Sequence, residues 1–248
     1  MPRACRRTSP RSSARRWPEP DPLGMDNGTQ LYFATVAFIA THFIPSTPLR
    51  GVLVKAVGER AYVVLYSLLA AVMLGWMIWA YNRAPLEPMW VGLRWLPAVA
   101  MPFAFVLLAC GLLSRNPTIV GADKLLKSPE PARGIIRVTR HPVMWAFMLW
   151  SLAHLLARGE RMASVFFGGF LALAALGALL MDQRKARTLG EDWQRFAAVT
   201  SYLPFGAIVL GRNRFDAREI GWRNPAIGLA IYALFFWFHP ALFGIRAY

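Results

Sequence analysis

The stretch AYVVLYSLLAAVMLGWMIWA, residues 61–80, passes through twenty positions without one charged side chain. A helix of that length rises about 30 Å, which is the thickness of the hydrocarbon layer of a membrane. In lipid such a run has to be helical, because every backbone N–H and C=O must find its partner inside the segment. Comparable apolar stretches occupy residues 31–44, 95–113, 142–157, 162–181 and 226–245, of which 31–44 and 142–157 are short. The expected fold is all-α: a polytopic membrane helix bundle of about six transmembrane helices. Pro97 and Pro102 are expected to kink the third span. The connection Arg158-Gly159-Glu160-Arg161 is short enough to close the fourth and fifth spans into an antiparallel hairpin.

Composition agrees with a chain that lives in lipid. Of 248 residues, 56% are hydrophobic and only 17% charged, where a soluble domain carries about 25% charged residues; the mean hydropathy is +0.37. The net charge of +15 does not point to nucleic acid, because the basic residues lie between apolar runs instead of forming one polar patch. Membrane lipid is the expected partner. The first, third and fifth loops hold 3, 6 and 8 Lys and Arg, whereas the second and fourth hold 2 each. The positive-inside rule therefore puts the three basic loops in the cytoplasm and both termini in the periplasm of a bacterial inner membrane. Residues 1–24, with six arginines among Ser and Pro, read as a disordered leader and not as a secretory signal. Met25 directly precedes the first apolar segment, so a start there would remove six arginines from the wrong side, leaving 25–248 as the integral membrane domain. Cys5 and Cys110 are too few for a zinc site or a disulfide framework.

In the fifth loop, Leu189, Trp193, Phe196 and Ala197 share one helical face. They suit an interfacial helix on the inner leaflet, or equally a short helix packed on neighbouring loops.

What chemistry the chain carries rests on four histidines, His42, His141, His154 and His239. No carboxylate stands in mid-span to serve paired acid–base catalysis. An imidazole inside a membrane needs a partner, a cavity or a cofactor. His141 and His154 are thirteen residues apart, roughly 20 Å along one helix, so they belong to different sites. By depth, His42, His154 and His239 form a candidate cluster, and any two on facing helices are placed to hold a haem iron axially. Hydrogen-bonded packing competes with ligation for His42 and His154, and an aromatic-belt position competes with it for His239. Arg140 and His141, at a helix start, suit a phosphate contact to lipid or to a cofactor.

Several stretches resemble the NnrU family of bacterial membrane proteins, to which the plant zeta-carotene isomerase is related. They are His42 with Pro48-Leu49-Arg50, then Val57-Gly58-Glu59-Arg60-Ala61-Tyr62 with Leu65-Tyr66-Ser67, then Arg137-Val138-Thr139-Arg140-His141-Pro142 through Trp150-Ser151-Leu152-Ala153-His154. Leu189-Gly190-Glu191-Asp192-Trp193, Leu203-Pro204-Phe205 and His239-Pro240-Ala241-Leu242-Phe243-Gly244 continue the resemblance. It implies a multi-span inner-membrane protein tied to nitrogen-oxide respiration (denitrification), or one that uses haem b for cis–trans isomerisation of an apolar polyene. Carried onto this chain, it implies His42 and His154 as metal ligands and His239 as a further cofactor-binding histidine.

A weaker resemblance, on Arg140-His141-Pro142, Gly190-Glu191-Asp192-Trp193 and Pro204, is to the isoprenylcysteine methyltransferase group. It implies S-adenosylmethionine held by Arg140, His141 and Glu191. Met144 and Ala146 depart from that pattern. A non-enzymatic membrane assembly factor is the third expectation, with the histidines as packing groups and the basic fifth loop docking a partner.

Overall fold

A computed structural model describes residues 24–244, and the leader expected at 1–24 lies outside them except for Gly24. Every regular element among the described residues is a helix, without a named strand. Helix α1, Asn27–Phe43, starts where Asp26 caps it: its carboxylate accepts from the Thr29 backbone N–H at 3.0 Å and from the Thr29 hydroxyl at 2.5 Å. Pro45 ends it in a single 3₁₀ turn. Helix α2, Leu49–Val57, was not among the expected elements; it turns into α3, Glu59–Arg83, at Gly58, whose φ of 82° excludes most side chains. Helix α4 is Leu96–Leu113. Pro97 falls in its first turn, where a missing N–H costs nothing, so only Pro102 lies inside the helix.

The one-turn α5, Ile135–Val138, leads to α6, Pro142–Arg158, and Gly159 in the left-handed region starts the return into α7, Arg161–Ala198. The expected hairpin is therefore present. Helix α7 runs unbroken over residues 161–189, about 44 Å, so it continues well past the hydrocarbon before Gly190 breaks it at φ 52°, ψ −124°. The short helices α8, Gly206–Val209, and α9, Ala217–Ile220, precede α10, Arg223–Phe243.

Each of the six expected spans appears as a helix. Four of them, α3, α4, α7 and α10, are long and apolar enough to cross a membrane, while α1 and α6 have 17 residues each. The helices pack in the order α3, α1, α7, α6, α4, α10. One core joins α1, α3 and α7 through Leu31, Phe38, Met77, Phe166 and Phe167; another joins α4 and α6 through Met101, Ala104 and Ala153.

The loops segregate to two ends. At one end, residues 84–95 lie on the α6–α7 turn: Met89 N–H donates to Gly159 O at 2.8 Å, Leu93 N–H to Leu156 O at 2.9 Å, and Arg161 N–H to Glu87 O at 2.9 Å. At the other, basic end, the third and fifth loops form a packed layer in which Trp193 and Phe196 are buried against Ile135, Ile136 and Val138. Of the two readings of that helical face, packing on loops is the one observed. Its apolar residues are turned into the loop layer and not toward a leaflet, because Gly190 redirects the chain across the bundle end.

Candidate functional site

The interior carries an aromatic layer that links three helices. Phe170 of α7 stands 5.3 Å from Phe38 of α1 and 5.1 Å from Trp150 of α6, ring centre to ring centre. Phe166 and Phe167 extend it, Trp150 meeting Phe167 at 5.2 Å. His42 lies one turn beyond Phe38 on α1 and His154 one turn beyond Trp150 on α6. The two helices run in opposite directions, so the histidines leave the layer toward opposite ends, about 6 Å each by helical rise.

Both histidines use the same local bond. His42 Nδ1–H donates to Phe38 O at 2.7 Å, and His154 Nδ1–H donates to Trp150 O at 2.8 Å. Helical side chains lean back toward the preceding turn, which brings each ring within reach of that carbonyl. With the proton fixed on Nδ1, the lone pair stands on Nε2, the form in which imidazole ligates iron or zinc. His42 is half-buried beside Phe38 at 4.3 Å and Tyr66 at 6.1 Å; His154 stacks on Phe167 at 5.2 Å. His239 packs against Phe243 at 4.8 Å and is within electrostatic reach of His154. No hydrogen bond or ring contact joins His42 to His154, and Phe170 stands in the layer between them. The structure thus brings His154 and His239 near one another and sets His42 apart.

His141 has a different role. It is 1% exposed, and its Nε2–H donates to Asp182 Oδ1 at 2.7 Å, while the Arg140 guanidinium lies 3.2 Å from Asp182 Oδ2. This corrects the expected lipid-phosphate contact: a ring so enclosed cannot meet a headgroup, and its anion is a carboxylate of α7. Burial pulls the Arg140 guanidinium below its ordinary value, with Asp182 opposing. Of the residues expected to hold S-adenosylmethionine, His141 is bonded to Asp182, Arg140 lies beside that same carboxylate, and Glu191 is exposed. Asp182 was not among the residues singled out above. Its signal was a lone carboxylate closing an apolar span, where a buried cation had to be its partner.

Nearby ion pairs hold the loop layer. Arg137 grips Glu219 through Nε at 2.7 Å and Nη2 at 2.8 Å, and Gly134 N–H adds a third bond at 2.9 Å. The Arg137 bond foremost, then the Gly134 bond, outweighs burial and holds the Glu219 carboxyl at about 2. Lys185 bonds Asp123 and donates to Pro117 O at 3.0 Å. No group of three or more metal-ligating His, Cys, Asp or Glu occurs among the described residues.

Apolar helices of membrane-spanning length, loops sorted to two ends and histidines inside the bundle define a multi-pass helical membrane protein. The chain belongs to the NnrU protein family, which it matches over residues 30–247. It is similar to the chloroplastic 15-cis-zeta-carotene isomerase of Arabidopsis thaliana, with 41% identity over 80 residues, 32% of this chain and 22% of the relative. The corresponding isomerase of Zea mays is 33% identical over 112 residues, 44% of this chain and 31% of the relative. The matches thus span less than a third of the relatives' own length. No solved structure matches.

Proposed function

We propose that this NnrU-family membrane protein isomerises a long apolar polyene, using haem b held by His42 and His154. The observation that carries the reading is the similarity to two 15-cis-zeta-carotene isomerases. The donor chemistry fits the cofactor: both imidazoles keep Nδ1 occupied by a carbonyl and offer Nε2. His42 and His154 would hold the iron through these Nε2 atoms. When bound, the reduced iron supplies the electronic chemistry of double-bond isomerisation. The chain's own side chains do the rest: Phe38, Phe166, Phe167, Phe170 and Trp150 give a polyene an apolar, aromatic surface on which to lie, and they keep water from it. In this reading the protein sits in a bacterial inner membrane with its basic loops in the cytoplasm.

The test is to purify the full chain in detergent and record oxidised and reduced absorbance, then add 15-cis-zeta-carotene under reducing conditions. A Soret band that is lost in His42→Ala and His154→Ala, together with conversion of the carotene, is the expected result. A folded, colourless protein overturns the haem assignment. Haem binding without conversion overturns the isomerase and leaves nitrogen-oxide respiration as the field in which to seek the activity.

A further inference from the structure

Three consecutive elements, α1, α2 and α3, meet at the basic end of α1 and α3. His42 closes α1, Arg50 starts α2, and Glu59, Tyr62 and Tyr66 lie in the first two turns of α3. Tyr66 stands edge-on to His42 at 6.1 Å and stacks on Tyr62 at 6.0 Å with 17° between the rings. The Arg50 guanidinium lies over the Tyr62 ring, 5.6 Å from its centre, and Glu59 fixes it there through a 2.6 Å ion pair. Two groups in this assembly lack a partner. His42 Nε2 makes no hydrogen bond, and the Tyr62 hydroxyl is buried without one, in a residue only 7% exposed. A buried hydroxyl without a partner costs about 1–3 kcal/mol, so its presence asks for a ligand atom.

We infer that the Tyr62 hydroxyl and the Arg50 guanidinium bind a carboxylate of the haem that His42 ligates, which makes this end of α1 and α3 the polar edge of the cofactor site. The inference rests on the haem assignment of the preceding section. A polyene offers the hydroxyl nothing, because it has no polar atom. Haem is amphipathic: its macrocycle suits the apolar interior, and its two carboxylates need donors and cations at a polar boundary. His42 is in the last turn of α1 and Tyr62 in the first turn of α3, so both lie at that boundary, beside the basic first loop. Arg50 uses Nη2 on Glu59, and its remaining guanidinium donors are not taken by any hydrogen bond.

The experiment compares haemin with haemin dimethyl ester, which has the same macrocycle and no carboxylate, in Soret titrations of the full chain in detergent. Tyr62→Phe keeps the ring stack and removes only the hydroxyl. Loss of a hydrogen bond to a charged group predicts roughly ten-fold weaker haemin binding. The ester, which offers only an uncharged carbonyl, should lose far less affinity than haemin in Tyr62→Phe, and Arg50→Gln should show the same selectivity. Equal haemin affinity in Tyr62→Phe, or equal weakening for haemin and ester, overturns the inference while leaving haem in place. An unaltered protein that takes up neither porphyrin overturns the haem reading and this inference together.

Discussion

Glu219 binds Arg137 through two hydrogen bonds, and the two side chains are only 11% and 10% exposed. Removing the carboxylate's charge in Glu219→Gln leaves an enclosed guanidinium without its directly bonded counter-charge. That change should lower stability in detergent by about 3 kcal/mol, read as a fall in the thermal midpoint. The same pair sets an acid limit. A carboxyl held at about 2 when folded, against 4.5 ordinarily, is ionised in both states above pH 4.5, where its full contribution is present. Below pH 4.5 the unfolded chain takes up the proton first, so stability falls as the pH drops toward 2. Glu219→Gln should flatten that part of the profile, and an unchanged acid profile rules the pair out as its cause. At this scale the sequence was partly legible. The lone imidazoles inside apolar runs marked themselves, but His141's partner is Asp182, 41 residues on, and no local pattern reports a contact across two helices.

The long elements were legible for a plain reason: an uncharged run has one stable backbone form in lipid, and its length is read directly. The short ones were not. Helices α5, α8 and α9 have four residues each, too few to form alone, and they exist because the loop layer holds them. Helix α2 was hidden because Pro45, Pro48 and Gly58 punctuate it like a loop. The packing of α10 on α4 was equally invisible, since it depends on Gly228. A Cβ there would lie 2.6 Å from Phe105 O and 2.9 Å from Val106 Cα, both backbone atoms that cannot turn aside. Gly228→Ala should cost about 1–3 kcal/mol by separating the helices, and Gly228→Val more. The check is the thermal midpoint in detergent, and two variants that melt like the unaltered protein would exclude so close an approach.

Across the whole molecule, charge divides the two ends more sharply than shape does, with 17 of the 28 Lys and Arg in the first, third and fifth loops. Orientation follows from that asymmetry and can be read with two cysteines. Val91 in the second loop and Val120 in the third are 93% and 87% exposed. Val91→Cys should react with an impermeant maleimide from outside intact cells, and Val120→Cys only after the membrane is opened; the reverse pattern inverts the topology. One feature ties the ends together. Helix α7 carries Phe166 and Phe170 in its lipid-embedded half, then Asp182 and Lys185 ahead of the break at Gly190. That stretch, residues 161–189, holds no proline and no glycine in the left-handed region. It is one unbroken rod, so the carboxylate anchored in the loop layer and the phenyl rings of the aromatic layer are fixed at a set spacing by a single helix.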